Sequence, residues 1–420
     1  MKIAVLGAGF TGLTAALRLL QQGHEVTIFE KESSVGGLAG GFKRAGWDWT
    51  LEKSYHHFFT NDSSAYKLAK ELNHPLITVR PKTDVYVQKN IVPFDSPASI
   101  LSFPYLSLKD KLSLGLGTLY LKVSPHQKFE GQLALPWINK VMGKRVTKMI
   151  WQPLFQGKFG KYANQISLTW FWARIKKRTT ELSYPEGGFD DFAQKLSEKI
   201  KSLGGQILLN NEVISVHSNE KLIVETKGNS EKFDKIIVTL PSPVFTKITS
   251  KLPRQYVKRI SSIPHLCALT LVLILKKPFL DGTYWLNITD PSFPFLALVE
   301  HTNFMPIKHY GREHILYIGN YLQANHTYLK MSAKELLKIY DPYLKKINPH
   351  YTQYMIHNTL FVQPHAQPVV TTDYPKLMPE FITPLENVYL ANMDMVYPWD
   401  RGTNYAIELG ESVINYLTSL

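Results

Sequence analysis

MKIAVLGAGFTGLTAALRLLQQGHEVTIFE, residues 1–30, decides the fold. Ile3 to Leu6 is a short apolar run of strand formers, and it breaks at Gly7-Ala8-Gly9-Phe10-Thr11-Gly12. Leu13, Ala16, Leu17, Leu19 and Leu20 then recur at helix spacing, and Gln21, Gln22 and Gly23 close that helix. A second strand, Glu25 to Glu30, ends on a carboxylate. Strand, glycine turn, helix and strand make a βαβ unit, which predicts an α/β fold with a parallel sheet.

Each glycine has a physical task. Gly7 turns the backbone sharply off the strand. Gly9 has no Cβ, so a pyrophosphate can approach the main chain. Gly12 lets the helix pack closely on the sheet. Phe10 and Thr11 complete the turn at the helix N-terminus, where free N–H groups and a partial positive charge attract phosphate. Glu30 stands where a carboxylate accepts from a ribose 2′-hydroxyl and repels a 2′-phosphate. A glycine-rich turn in an ordinary βαβ unit is the plainer reading. Ala16, Gly23, Val26 and Glu30 all fall where the dinucleotide fingerprint needs them, which favours dinucleotide binding. NAD and FAD share this fingerprint.

Beyond Glu30 and Lys31 come Gly36-Gly37-Leu38 and Gly40-Gly41. With these the sequence resembles the FAD-dependent oxidoreductases related to protoporphyrinogen oxidase, phytoene desaturase, the flavin amine oxidases and UDP-galactopyranose mutase. The resemblance implies FAD as cofactor, with the second glycine pair beside its diphosphate. It also implies a Rossmann-type FAD-binding domain, discontinuous in sequence, with an inserted α+β substrate domain. The expected segments are 1–75, 184–245 and 386–420 for the FAD domain. The substrate domain takes 76–183 as a largely helical part and 246–385 as an antiparallel-sheet part.

Composition sets wide bounds. The 420 residues are 44% hydrophobic, 20% charged and 12% aromatic, a globular balance large enough for two domains. The single Cys267 leaves no intramolecular disulfide and points to a reducing compartment, so a cytoplasmic location is expected, with membrane association as a further option. The fourteen His form no CxxC-linked or HExxH pattern, so no metal site is expected. The N-terminal apolar run reads as a strand and not as a secretory leader. The longest apolar run, Leu266 to Leu275, is too short to span a bilayer and stops at Lys276-Lys277. A net charge of +14 reads first as scattered Lys, then as attraction for an anionic substrate or membrane surface. No nucleic-acid-binding pattern accompanies it.

Along the chain, Phe42 to Trp49 forms a hairpin with its turn at Ala45-Gly46. His56 and His57 follow between aromatic residues. A polar loop is one reading; contact with flavin or substrate is favoured, and the two are the catalytic candidates. Ser63 to Leu72 has helix spacing with Asp62 or Ser63 as cap. A helix is expected from Ser107 to Val123 with a broad apolar face of Leu108, Leu112, Leu114, Leu116, Leu119 and Tyr120. Trp137, Trp151, Trp170 and Trp172 follow, and Trp151 to Gly160 also resembles the superfamily's substrate domain. This helical insertion is expected as a lid packed on its own protein, with peripheral membrane contact the other reading.

A helix from Asp190 to Leu203, a strand from Gln206 to Leu209 and three alternating strands ending at Leu240 resemble the second half of the FAD domain. There the relatives' pattern places Val213 at the adenine through its backbone. Ala268 to Leu275, Tyr284 to Ile288, Phe295 to Glu300 and His314 to Leu322 read as one antiparallel sheet. Glu300 to Asn303, and a polar loop from Gln363 to Pro368, are weighed as structural before pocket-facing. At the C-terminus, a strand from Asn387 to Ala391, a loop, and a helix from about Asn404 to Leu417 match the superfamily's closing motif. The resemblance points that helix at the flavin's pyrimidine edge, with Thr403 and Asn404 as caps and donors. Asn392 or Asp394 is expected at the ribityl chain or phosphate, because Ala391-Asn392-Met393-Asp394 replaces the family's usual Gly-Asp. Leu38 is a second departure, standing where relatives have Arg or Asn. Tyr397 and Trp399 are weighed as flanking the flavin against loop packing, the commoner role of two aromatics beside a proline, and Arg174 and Arg401 as binding an anionic substrate or as holding the cofactor or the fold.

The function this implies is two-electron oxidation of a hydrophobic or amphipathic small molecule, with hydride passing to flavin N5. The alternative is a mutase-like flavoenzyme acting on a nucleotide sugar without net redox, and a third reading is a non-catalytic flavin-binding scaffold. His56, His57 and His301 are candidates for a base by location.

Overall fold

The computed structural model describes residues 1–219 and 221–419. A five-stranded sheet runs in the order Gln206–Leu208, Glu25–Phe29, Lys2–Leu6, Lys235–Val238, Val388–Leu390. All neighbouring strands in it are parallel. Its strands come from three distant stretches of chain, so this Rossmann-type unit is discontinuous in sequence. Both faces of the first strand are covered. Ile3 and Val5 join a core with the helices Phe10–Gln21, Phe189–Ser202 and Thr403–Thr418. Ala4 and Leu6 point the other way, onto Val216, Val224, Phe233 and Phe245. Alternation between two covered faces is why the strand reads as an unbroken apolar run.

The meander on that second face is Val213–Asn219, Lys221–Thr226 and Asn229–Phe233. The turn expected near Ser218-Asn219 adjoins Glu220, which lies outside the described residues.

A seven-stranded sheet runs Met355–Pro368, His265–Leu275, His314–Leu322, Ala297–Glu300, Thr283–Ile288, Lys82–Val87, Asn90–Pro93. Thr283–Ile288 pairs in parallel with Lys82–Val87, and the other neighbours are antiparallel. Leu269, Leu271 and Leu273 face the helix Ala333–Ile347 through Leu336, Tyr340 and Leu344. The expected polar loop from Gln363 to Pro368 is instead the end of a strand. Backbone pairing with His265–Leu275 extends to Pro368, across a register shift opposite Leu266/Ala268.

The helical part contains Leu108–Val123, capped by a reciprocal Ser107–Asp110 box. Only Leu114, Gly117 and Leu121 of that helix are buried. Asp62 is the N-cap residue of the helix Ser63–Glu71, though its side chain makes no cap hydrogen bond. Its carboxylate accepts the Phe59 amide at 2.8 Å and fixes the turn that enters the helix.

Candidate functional site

One cavity of about 1560 Å³ opens at the carboxyl ends of the parallel strands, where open α/β sheets bind ligands. It is lined by Gly7, Gly9, Phe10, Thr11, Glu30, Lys31, Gly36, Gly37, Leu38, His56, His57, Val213, Asn392, Thr403 and Asn404. Residues scattered over four hundred positions thus face one space. Gly12 is the exception. It packs inward, where a Cβ would overlap the Gly7 carbonyl oxygen and lie 3.1 Å from Thr239 Oγ1.

The turn and the second glycine pair meet. Gly36 donates its amide to the Ala8 carbonyl at 2.9 Å. Gly37 has φ +58°, and a Cβ on it would stand 3.1 Å from the Gly9 Cα. Glu30 is oriented by two backbone donors, the Ala8 amide at 2.8 Å and the Glu32 amide at 2.9 Å. Lys31 is exposed and pairs with Glu32 at 3.4 Å. Leu38 gives its carbonyl to Gln363 Nε2 at 2.9 Å, so the sheet end grips this loop. Val213 opens the first meander strand opposite Thr226, and the register shifts between it and Ser215.

At the C-terminus the structure corrects one expectation, the capping by Thr403 and Asn404. Gly402 is the N-cap of the helix Thr403–Thr418 and no side chain caps it. Asn404 turns its Oδ1 to the Ala65 amide at 3.0 Å, tying this helix to Ser63–Glu71. Asn392 and Asp394 are both committed within the protein. Asn392 donates to the Leu240 carbonyl at 3.0 Å and to Ser242 Oγ at 3.1 Å. Asp394 accepts from Ser242 Oγ at 2.5 Å and pairs with His265 Nε2 at 2.7 Å. Both residues also line the cavity. Tyr397 and Trp399 do not line it. Trp399 stacks on Trp172 at 5.0 Å and on Tyr405 at 5.9 Å, and Tyr397 stacks on Tyr374 at 6.0 Å. The aromatic walls are others, among them Tyr55, Trp170, Trp285 and Tyr321.

His56 and His57 are pinned. His56 Nδ1 lies 2.6 Å from the Ser54 carbonyl. A carbonyl only accepts, so Nδ1 carries the proton and Nε2 keeps the lone pair. His57 Nδ1 is 3.1 Å from the Tyr284 hydroxyl. Burial, then Arg401, lowers His56 to about 4. Burial, then Arg178, Arg174 and His56, lowers His57 to about 3. Both rings are therefore neutral at pH 7. His301 lies elsewhere, in the core, with Nε2 2.7 Å from the Tyr310 hydroxyl. Glu300 beside it accepts the amides of Phe279 and Leu280 at 3.0 and 2.5 Å, a structural task.

Arg174 and Arg401, weighed from the sequence as substrate-binding or structural, belong to a buried charge cluster on the cavity wall whose other members, Lys158 and Asp400, the sequence does not single out. Asp400 lies 3.7 Å from Lys158 and 3.2 Å from Arg174, and accepts from Gln367 at 3.2 Å. Arg401 donates to Gln367 at 3.0 Å and to the Tyr321 hydroxyl. Lys158 sits over the rings of Trp170 and Tyr321 at 4.9 and 5.1 Å. Burial lowers Lys158 to about 7, against the pull of Asp400. Arg178 also lines the cavity, and burial followed by Arg174 lowers it to about 10. No local pattern links positions 158, 174, 178 and 400; the nearest signal was Lys158 among aromatic residues.

Behind the site, Glu52 is wholly buried. It accepts from the Tyr184 hydroxyl at 2.9 Å and the Phe189 amide at 2.8 Å. Burial outweighs those donors and raises its carboxyl from 4.5 to about 7. The folded state then holds a proton that the unfolded chain releases near 4.5. This group's contribution to stability is present below that value and is lost as pH rises through about 7. His56 and His57 oppose it, because their contribution is lost as pH falls below 6.5. Glu52→Gln is therefore expected to flatten the loss of stability between about pH 5 and about pH 7, relative to the parent. Melting temperatures of both chains across that window check this; parallel curves contradict it.

Comparison with known proteins places these features. A family model described as flavin containing amine oxidoreductase matches residues 10–412. A 4,4'-diapophytoene desaturase (4,4'-diaponeurosporene-forming) of Staphylococcus aureus is 27% identical over 303 residues, 58% of this chain and 56% of the desaturase. The match thus spans little more than half the length of that curated relative. The crystal structure of an oxidoreductase from Methanosarcina mazei has TM-score 0.77 at 20% identity, covering 99% of this chain and 100% of that one. That of reduced UDP-galactopyranose mutase has TM-score 0.80 at 16% identity, covering 100% and 95%. The two structures show a shared fold. The cradle fits FAD: the glycine turn and the second glycine pair meet with a Gly37 Cβ position only 3.1 Å from the Gly9 Cα, and Glu30 is held at the ribose end of the turn.

Proposed function

The chain belongs to the flavin-containing amine oxidoreductase family and is an FAD-dependent oxidoreductase, and from that premise we propose that it oxidises a hydrophobic or amphipathic small molecule by two electrons. One observation carries this reading. The nucleotide cradle continues into a chamber faced by Phe94, Leu114, Trp151, Phe155, Phe171 and Leu296. Such walls favour an aliphatic or aromatic body by about 25 cal/mol for each Å² removed from water.

Bound FAD supplies a hydride acceptor at N5. The protein's part is to orient the substrate and move protons. His56 and His57 are neutral and close to the glycine cradle. His56 Nε2 is the nitrogen free to accept a proton. Lys158, with a proton that leaves near neutral pH, is a third candidate. Arg174 and Arg178 offer a place for an anionic end of the substrate.

The test begins with the visible spectrum of the purified protein, followed by anaerobic titration with lipid-soluble donors and readmission of air. Flavin bands that bleach with such a donor are the expected result. A pre-reduced enzyme that isomerises a nucleotide sugar with no net electron consumption, and a flavin that no apolar donor reduces, would overturn the reading.

A further inference from the structure

We infer that the outer face of the helix Leu108–Val123 docks on an anionic lipid bilayer and that the cavity opens onto that bilayer. Leu108, Leu112, Leu116, Leu119 and Val123 recur at spacings of four, four, three and four, which puts them on one face. Together with Leu101 they are 54% to 68% exposed. Leu114, Gly117 and Leu121, on the other side, make the contacts that hold the helix to the protein, with Met142 and Val141 against Gly117. One side of this helix thus packs on its own protein while an equally apolar side meets solvent. A contiguous apolar row of this kind marks an interaction surface.

Charge names the partner. Residues 100–150 carry eight Lys or Arg against two acidic residues, a surplus of six in a chain whose whole surplus is 14. One of the two acids, Asp110, is occupied by the Ser107 cap. Lys109, Lys122 and Lys128 stand exposed around the apolar row. Apolar side chains at the acyl boundary, with ammonium groups reaching lipid phosphates, is the arrangement of an interfacial helix. A soluble partner protein would not need so one-sided a charge. No helix among the described residues is long and apolar enough to cross a membrane, so the attachment is to one leaflet.

The cavity ends at the same place. Leu101, Leu112, Leu116 and Leu119 belong both to the exposed row and to the cavity lining. An apolar molecule leaving the leaflet at this helix would enter the cavity without crossing water.

The surface stands apart from the redox reading and is tested apart from it. The FAD-loaded protein is floated with vesicles of phosphatidylcholine alone and with vesicles containing about one-third phosphatidylglycerol. Wild type is expected to rise with the anionic vesicles and to be released by high salt. The double variant Leu108→Ser, Val123→Ser, at row positions outside the cavity lining, is expected to lose vesicle binding at least about tenfold while keeping its flavin absorbance and melting temperature. The double variant Lys109→Gln, Lys128→Gln is expected to weaken binding only to the anionic vesicles. Wild type that stays with neither vesicle overturns the inference. So does a wild-type dimer that Leu108→Ser, Val123→Ser converts to monomer without change in vesicle binding, since the row would then join two copies. Oxidation of a detergent-dispersed donor reads the redox proposal separately.

Discussion

Gly12→Ala is expected to give a chain that is purified without flavin and melts well below the parent. A Cβ at this position would overlap the carbonyl oxygen of Gly7, and backbone cannot move aside as a side chain can. The helix Phe10–Gln21 would have to shift off the strand Lys2–Leu6. That shift costs about 3 kcal/mol or more, at the upper end of overpacking effects. It would also move Gly9 away from Gly37 and Glu30 away from the Ala8 amide, so the cradle and the packing fail together. Gly115→Ala is the control. Nothing lies within 4 Å of a Cβ there, and the residue is inside a helix. Removing a helical glycine is expected to stabilise by up to about 1 kcal/mol with FAD retained. Flavin absorbance per chain and thermal melting of the two variants check both statements; a Gly12→Ala protein with full flavin content and the parent's melting temperature contradicts the first.

Asp400→Ala is expected to destabilise the fold by about 3 to 5 kcal/mol, the usual effect of removing one partner from a buried ionic cluster. Burial by itself would raise this carboxyl, yet Lys158, Arg174 and Arg401 outweigh it and hold it far below the ordinary carboxylate range. Without it three cations share one wall with no counter-charge among them. Lys158 would answer by losing its proton more readily still, because Asp400 is the group that pulls its value up. Asp400→Asn keeps the shape and the acceptor for Gln367 but not the charge, so it isolates the electrostatic part. Chemical denaturation of the two variants measures the loss. A titration of Lys158 reactivity toward an acylating reagent is expected to shift to lower pH in Asp400→Asn. An unshifted profile would mean that Asp400 does not set the lysine's charge.

The cradle was legible because its reasons are local. Gly12 is fixed by the Gly7 carbonyl oxygen that a Cβ would overlap, five residues earlier, and Glu30 by its distance along one βαβ unit. Strands such as Lys2–Leu6 and Ala268 to Leu275 announce themselves by runs of apolar residues, and helices such as Ala333–Ile347 by their period. Ser107 and Asp110 signal a helix start three residues apart. Motifs of this size need no knowledge of the rest of the chain.

The misplacements have one physical cause. Of the two roles open to Tyr397 and Trp399, flanking the flavin or packing in their loop, Tyr374, Trp172 and Tyr405 decide for packing away from the cavity. Thr403 and Asn404 are good caps by residue type, yet Gly402 takes the cap position and Ala65 offers Asn404 a partner from another helix. His301 stands at a strand end, and only the assembled sheet shows that this end is buried.

The sequence by itself determined the βαβ cradle and the strand and helix periods, because these follow from contacts within about thirty residues; FAD over NAD came from the family resemblance that Gly36-Gly37 carries. Only the tertiary structure decided which groups meet across the cavity: Lys158 and Arg174 with Asp400, Leu38 with Gln363, Asn404 with Ala65. It alone decided, too, that the row from Leu108 to Val123 remains uncovered. An apolar period states that a face prefers to leave water; which surface covers it depends on every other element that competes for the same space.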